Sequence, residues 1–136
     1  MTSDKDEIIE LTVAYCWALD TRQYDELSGV FLPDATAELG RSLHGIEAIK
    51  GRVAEALDPL DASQHMVATH QVKIDGDRAT GRTYLQAQHV KGGALFMVGG
   101  RYDDRFVRTP DGWRIEHREL TVLWTDGDAA VLQRDA

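Results

Sequence analysis

The sequence predicts an α+β domain, a cone-shaped barrel in which three N-terminal helices pack on a strongly curved antiparallel sheet and enclose a pocket. Up to Pro59, apolar residues recur at helical spacing. Beyond Pro59, long segments with strand-like patterns are separated by turns at Asp75-Gly76 and Gly92-Gly93. Helices followed by a meander of strands are typical of α+β domains. Because four strands of about ten residues twist and curl strongly, the helices can cover only the concave face of such a sheet.

The first helix is predicted to begin near Ser3, whose hydroxyl can cap an amide of the first turn. Two neighbouring rows of side chains follow at helical spacing: Ile8, Leu11, Thr12, Tyr15 and Leu19, and beside them Ile9, Val13, Cys16, Trp17 and Asp20. A helix that is apolar over so wide an arc is expected to be covered on two sides. Asp20 is the exception in its row, because a carboxylate at an otherwise apolar position costs free energy unless it is paired.

Shorter elements come next. A break at residues 21–23 precedes a short second helix over residues 24–31, which ends at Pro33-Asp34. A short strand is predicted over residues 35–39, followed by a loop through Gly40 and Gly45. A third helix over residues 46–57 ends at Asp58-Pro59, because the residue before a proline avoids the helical conformation.

Four long strands fill most of the remaining chain. The first runs through Val67, Val72 and Ile74, and the others cover residues 79–90, 95–107 and about 113–124. The pair Gly99-Gly100 within the third strand indicates a bulge or kink. The tail, residues 125–136, is expected to be irregular.

Composition excludes several classes of function. The 136 residues are expected to form one domain, residues 1–136. With 23 acidic against 15 basic residues, a net charge of −8 and no cluster of Lys or Arg, the chain should bind neither nucleic acid nor an anionic membrane. Cys16 is the single cysteine, so no internal disulfide can form. The N-terminus lacks the order of a signal peptide, and no apolar run approaches the roughly 20 residues that span a bilayer, which together predict a cytoplasmic protein.

Asp20 and His65 are the candidate catalytic residues. A neutral imidazole with a pKa near its ordinary value of about 6.5 can accept a proton at working pH. A buried carboxylate on its other nitrogen would fix the tautomer and stabilise the imidazolium that forms. The alternative is structural: an aspartate that caps the end of a helix and a strand histidine held in the core. The residues alone leave both interpretations open.

Six motifs in register resemble the SnoaL-like branch of the nuclear-transport-factor-2-like superfamily. They are Ala18-Leu19-Asp20-Thr21-Arg22-Gln23-Tyr24, Phe31-Leu32-Pro33-Asp34-Ala35, His44-Gly45-Ile46-Glu47-Ala48-Ile49, Gln64-His65-Met66-Val67, Gly99-Gly100-Arg101-Tyr102-Asp103-Asp104 and Asp111-Gly112-Trp113-Arg114-Ile115. The resemblance implies a cone-shaped α+β barrel with a deep pocket, assembled as a dimer or trimer. In this superfamily the scytalone dehydratase and hexachlorocyclohexane dehydrochlorinase families use an Asp–His dyad. Its Asp ends the first helix and its His lies on the strand after the third, where Asp20 and His65 fall.

Further side chains are candidates for the substrate pocket. His89 shares a strand face with Thr83, Leu85 and Ala87, which is expected to line the pocket; alternatively it is a strand-end residue beside a turn. Arg118 lies in the last strand, where the resemblance implies a pocket position and a guanidinium could bind a leaving group or an oxyanion. A surface ion pair with Glu116 or with a neighbouring strand is its alternative.

Three aromatic residues and the cysteine complete the predicted pocket. Tyr15, Trp17 and Tyr102 could form aromatic walls or supply a phenol donor, or could be core residues. Cys16 is interpreted as a small buried hydrophobe, since no base or oxyanion hole is recognisable beside it.

His70 follows His65 by five residues, so an unbroken strand would direct it to the opposite face, toward solvent or an interface. For the same reason the two histidines cannot share a metal ion without a bulge, and no metal or cofactor is expected. No phosphate-binding loop, dinucleotide fingerprint or serine-nucleophile elbow is present.

The sequence therefore predicts a cofactor-independent lyase, of the dehydratase or dehydrohalogenase type, or an isomerase. Its substrate would be a small, apolar, cyclic molecule from which His65 removes a proton. The alternative is a non-catalytic ligand-binding or accessory subunit of the same fold, such as the small subunit of a ring-hydroxylating dioxygenase. A homo-oligomer is expected in either case.

Overall fold

A computed structural model describes residues 3–132 of the chain. The helices are α1 (Asp4–Asp20) and α2 (Ile46–Leu57), with 3₁₀ turns at Tyr24–Gly29 and Ala129–Leu132. The strands are β1 (Phe31–Glu38), β2 (Ser42–His44), β3 (Ala62–Asp75), β4 (Arg78–Lys91), β5 (Ala94–Thr109) and β6 (Gly112–Gly127). No helix within residues 3–132 is long and apolar enough to cross a membrane.

One curved, unclosed sheet of six strands carries the helices, in the order β2-β1-β6-β5-β4-β3. The predicted α+β fold class is therefore confirmed. Strands β3 to β6 form the expected antiparallel meander, whereas β1 pairs with β6 in parallel and with β2 antiparallel. The register shift between Gly99 and Gly100 is the kink that this glycine pair indicated.

Helix α1 begins where the sequence predicted. The Ser3 hydroxyl accepts a hydrogen bond from the backbone amide of Asp6 at 3.1 Å, which satisfies one of the orphan donors of the first turn. One face of α1, including Ile8, Tyr15 and Leu19, is buried against the concave side of the sheet. Together with α2, it covers that side and leaves a cavity between helices and sheet.

The second predicted helix and the first strand differ from expectation. The helix is only a 3₁₀ turn, and Phe31 begins β1 instead of ending a helix. Pro33 lies inside β1, where the pairing with β6 is irregular between Phe31 and Thr36, so the missing N–H of proline breaks no regular ladder. Strand β2 was not predicted, because three residues are too few to show an alternating pattern.

The end of the chain is more regular than predicted. Strand β6 continues to Gly127, and residues 129–132 form a 3₁₀ turn in which Val131 is buried. The rest of the predicted irregular tail, residues 133–136, lies outside the described residues, as do residues 1–2.

Candidate active site

Asp20 and His65 are in direct contact. The Nδ1 atom of His65 lies 2.7 Å from Oδ1 of Asp20, and the backbone N–H of His65 donates to Oδ2 at 2.7 Å. Asp20 is the last residue of α1, where the helix dipole disfavours a negative charge. The side chains are largely withdrawn from solvent, with 17% of Asp20 and 6% of His65 exposed. The carboxylate is thus stabilised by hydrogen bonds that α1 alone could not provide.

Two further side chains complete the surroundings of the Asp20 carboxylate. The Ser63 hydroxyl donates to Oδ1 of Asp20 at 3.0 Å, and Nη1 of Arg22 donates to that same hydroxyl at 2.8 Å. Arg22 stands in the motif that carries Asp20, and Ser63 lies directly before the motif that carries His65, yet no role was predicted for either residue. The spacing of two residues between Ser63 and His65 was the available signal, because it places both on one face of β3.

The protonation state of Asp20 follows from these contacts. Burial alone would raise the pKa of Asp20. The hydrogen bonds from His65 and Ser63 together lower the pKa by more than burial raises it, so the pKa lies below its ordinary value. An ionised Asp20 can only accept, which assigns the proton of the 2.7 Å contact to Nδ1 of His65. In the neutral ring Nε2 is then an acceptor, and it has no hydrogen-bond partner within residues 3–132.

The cavity beside His65 has a volume of about 390 Å³ and lies between α1, α2 and the concave face of the sheet. Its walls are mainly apolar, with Leu19, Val53, Leu57, Leu85, Val98 and Leu120 among them. The polar side chains that line it belong to Tyr15, Arg52, His65, His89, Tyr102 and Thr125. A mainly apolar cavity of this size with a few convergent polar groups suits a small cyclic ligand.

His89 lies in this cavity, on the strand face that its spacing predicted. Its Nδ1 atom is 3.0 Å from the backbone oxygen of Phe96, which can only accept, so Nδ1 carries the proton. The rings of His65 and His89 are nearly perpendicular, with centroids 5.9 Å apart. Burial lowers the pKa of His89, so its ring is neutral near pH 7 with Nε2 as the acceptor.

Tyr15 and Tyr102 form one polar part of the cavity wall, and their rings pack edge to face with centroids 5.7 Å apart. Burial raises the pKa of both phenols, more than the neighbouring Arg118 lowers it. Both therefore stay protonated at neutral pH. Because the two phenols hydrogen-bond each other and each has a single proton, only one of them is left to donate to a ligand.

Arg118 does not line the cavity, so its predicted position in the substrate pocket was wrong. Its side chain is fully buried behind Tyr15 and Tyr102, with the guanidinium carbon 4.5 Å and 4.1 Å from their ring centroids. Asp104 accepts two hydrogen bonds from it, each of 2.8 Å. The alternative was correct in that the partner comes from a neighbouring strand, β5, but the pair is buried and not at the surface, and Glu116 pairs with Arg78. The strand pattern could not reveal that Asp104 would neutralise Arg118 inside the core.

Cys16 and Trp17 lie outside the central cavity, but in a second depression that the two candidate catalytic residues also line. They belong to the second row of α1, which faces β3, whereas the row containing Tyr15 faces the cavity. There they line a separate groove of about 750 Å³ between α1 and β3, to which Asp20 and His65 also contribute. Trp17 is 67% exposed, and burial raises the pKa of the Cys16 thiol to about 11.

The predicted direction of His70 was wrong because β3 is not an unbroken strand. Pairing with β4 shifts between Ala68 and Gln71, and Thr69 has a φ of 61°. This bulge restores His70 to the concave side, where it is half-buried beside Ile8 and Thr12 of α1. Residues 3–132 nevertheless contain no group of three or more His, Cys, Asp or Glu side chains that could hold a metal.

Comparisons with known proteins agree with this architecture. The sequence model of the SnoaL-like domain matches residues 1–119. The Mycobacterium tuberculosis protein Rv2910c is 40% identical over 126 residues, which cover 88% of this chain and 85% of that protein. The solved structure of Kfla4162 from Kribbella flavida is 27% identical, with a TM-score of 0.83 and coverage of 90% of this chain and 93% of that one.

An enzyme structure also shares the fold. The hexachlorocyclohexane dehydrochlorinase LinA-type3 from Novosphingobium barchaimii has a TM-score of 0.81, covering 97% of this chain and 94% of that chain. Its sequence is 14% identical, so the likeness shows the fold alone.

Proposed function

Because the chain belongs to the SnoaL-like domain family, we propose that it is a cofactor-independent lyase or isomerase in which His65 removes a proton from carbon. The observation that carries this proposal is the 2.7 Å contact between His65 Nδ1 and Asp20. It leaves Nε2 of a cavity-lining imidazole as an unpaired acceptor. A positioned base of this kind typically accelerates proton transfer by about 10²–10⁴.

The proposed reaction proceeds by general base catalysis. Nε2 of His65 takes the proton from a carbon of the bound ring, and the C–H electron pair forms the new double bond as the leaving group departs as halide or hydroxide. A departing hydroxide then accepts the proton held by the His65 imidazolium and leaves as water, which regenerates the neutral base. Asp20 stabilises the imidazolium without taking its proton. The phenols of Tyr15 and Tyr102 are protonated and hydrogen-bond each other, which leaves one phenol proton to donate to the departing oxygen or to a carbonyl. Return of the proton to another carbon would make the same site an isomerase.

The cavity supports a small, largely apolar, cyclic substrate. Apolar side chains, leucine and valine foremost, form most of its wall, so a charged or extended substrate would lose hydration and gain few polar partners. We further propose that the protein is cytoplasmic and binds neither nucleic acid nor membranes. Exposed apolar side chains on β3, β4 and β6 support a homo-oligomer, a dimer or trimer: Met66, Tyr84, Val122, Leu123 and Trp124.

The accessory-subunit alternative predicts either that Asp20 and His65 do not touch or that the cavity is closed. The contact and the open cavity both support the enzymatic proposal instead.

Hydrogen–deuterium exchange tests this proposal, because proton removal is the step that elimination and isomerisation share. The protein is incubated in D₂O with cyclohexanone and 2-tetralone, and loss of the α-proton signals is followed by ¹H NMR. The wild-type protein should accelerate exchange of at least one ketone over a protein-free control. His65→Ala should abolish the acceleration, whereas His44→Ala, at an exposed histidine of β2, should retain it. Equal acceleration by wild type and His65→Ala would contradict the assigned base.

A further inference from the structure

Arg22 and Ser63 form a chain of hydrogen bonds that ends on the Asp20 carboxylate. Nη1 of Arg22 donates to the Ser63 hydroxyl at 2.8 Å and to the backbone oxygen of Leu19 at 2.9 Å. The Ser63 hydroxyl in turn donates to Oδ1 of Asp20 at 3.0 Å. The chain therefore links the end of α1 to β3, the two elements that carry the proposed base and its partner.

The hydrogen bonds of this chain can run in only one direction, from Arg22 to Ser63 to Asp20. A guanidinium has donors and no acceptor, so the Ser63 oxygen must accept from Arg22. A serine hydroxyl has a single proton, and the position of the Asp20 oxygen makes it the acceptor of that proton. Arg22 thus prevents the Ser63 hydroxyl from rotating and donating elsewhere.

The same contacts prevent the Asp20 carboxylate from rotating. Oδ2 accepts from the backbone of His65, while Oδ1 accepts from both Ser63 and the His65 ring. With both oxygens held, the Oδ1 lone pair that faces Nδ1 keeps a fixed direction. The orientation and tautomer of the His65 ring depend on that direction.

The backbone of Arg22 gives an independent indication that its side chain is used. α1 ends in a pair of hydrogen bonds, from Arg22 N to the Leu19 oxygen and from Gln23 N to the Ala18 oxygen. This is the Schellman motif, whose left-handed residue after the C-cap is most often glycine. Arg22 occupies it with a φ of 61°, a conformation that is unfavourable for a residue with a Cβ atom. Strain of this kind persists where the surrounding structure compensates for it.

We propose that Arg22 and Ser63 are positioning residues, which hold Asp20 so that it orients His65 for proton abstraction. This inference rests on the proposed function in that His65 is taken as the base. Neither residue touches the cavity, so their contribution passes through Asp20. The titratable and charged groups that line the groove and cavity beside the pair, or bond to Ser63, are Tyr15, Cys16, Arg22, Arg52, His89 and Tyr102.

The first test measures Asp20 directly by titration of its side-chain carboxyl carbon in ¹³C NMR spectra. Ser63→Ala should raise the pKa of Asp20, because it removes one of the hydrogen bonds that lower it. Arg22→Gly should raise the pKa less, since the freed Ser63 hydroxyl can still donate part of the time. Ser63→Thr should restore the wild-type value. Ser42→Ala, which removes an exposed serine-to-glutamate hydrogen bond of 2.6 Å, should leave it unchanged.

Arg22→Gly separates positioning from stability. Glycine suits the left-handed backbone, so this variant should unfold at a temperature equal to or above that of the wild type. The His65-dependent deuterium exchange of Arg22→Gly and of Ser63→Ala should nevertheless fall by roughly tenfold, as loss of orientation at a reacting group does.

The outcomes distinguish this inference from the proposed function. An unchanged Asp20 pKa in Ser63→Ala, or the same change in Ser42→Ala, would overturn the positioning role whatever the activity. A raised pKa together with undiminished exchange in His65→Ala would leave the hydrogen-bond chain in place and refute the assigned base instead.

Discussion

The buried pair of Arg118 and Asp104 should be worth several kcal/mol to the fold, and Arg118→Met is the perturbation that measures it. The pair is removed from solvent, with 0% and 2% of the two side chains exposed, and is joined by two hydrogen bonds of 2.8 Å. Methionine leaves the Asp104 carboxylate buried without its partner. Removing one member of a buried pair typically costs about 3–5 kcal/mol, because the remaining charge is uncompensated.

The magnitude can be converted into a melting temperature. For 136 residues, with an unfolding entropy of about 2.1 cal/mol/K per residue, a loss of about 3–5 kcal/mol lowers the melting temperature by about 10–17 °C. Unfolding in urea, monitored by circular dichroism, gives the free energy of unfolding directly.

Two further variants make this measurement specific. Arg78→Met breaks an ion pair with Glu116 whose length is 2.9 Å but whose side chains are 69% and 34% exposed. It should cost less than about 1 kcal/mol, because solvent screens the pair. The double variant Arg118→Met with Asp104→Leu should recover most of the loss, since no charge then remains buried. Two results would contradict this prediction: a loss of less than about 1 kcal/mol in the free energy of unfolding of Arg118→Met, or a double variant that is less stable than Arg118→Met alone.

The other predictions concern Asp20, a glycine and the buried histidines. Asp20→Asn should slow deuterium exchange by about 10²–10⁴ while the protein remains folded, because the anion that stabilises the imidazolium is lost; exchange at the wild-type rate would contradict its role. Gly127→Ala should lower the free energy of unfolding in urea by about 1–3 kcal/mol, since the φ of Gly127 is 97° and a Cβ would collide with the Leu95 oxygen. Gly29→Ala is the control and should change the free energy little, because a Cβ at Gly29 would meet open space. Burial lowers the pKa of His70 and His89 below 6.5, so the unfolded chain binds more protons as pH falls below 6.5. Unfolding in urea should therefore show full stability above pH 6.5 and a loss on acidification below it, which a variant with both histidines replaced by glutamine should lack.

The order of elements could be predicted because local patterns in the sequence determine it. The helical spacing of α1, the capping serine and the turns after Pro59 each reflect local chemistry that leaves a mark in the sequence. The three-residue strand β2 and the parallel pairing of β1 with β6 leave no such mark, because both depend on what the rest of the chain places beside them.

Side-chain direction was predictable only where the strand stayed regular. His89 lies in β4, whose pairing with β5 is unbroken, and its parity gave the right face. One bulge at Thr69 was enough to reverse the prediction for His70. On α1, the second apolar row predicted cover on a second side, but Trp17 in that row is 67% exposed, and Cys16 and Trp17 line the groove beside β3 and not the cavity.

The most direct test of the central claim is the tautomer of His65, because only a bare Nε2 can accept a proton in the cavity. Long-range ¹H–¹⁵N spectra of the histidine rings distinguish a protonated from an unprotonated ring nitrogen, and His65→Ala identifies the signals. In neutral His65 the account predicts a protonated Nδ1 and an unprotonated Nε2, with the preference lost in Asp20→Asn. A wild-type ring protonated at Nε2 would contradict it, since that nitrogen could then only donate.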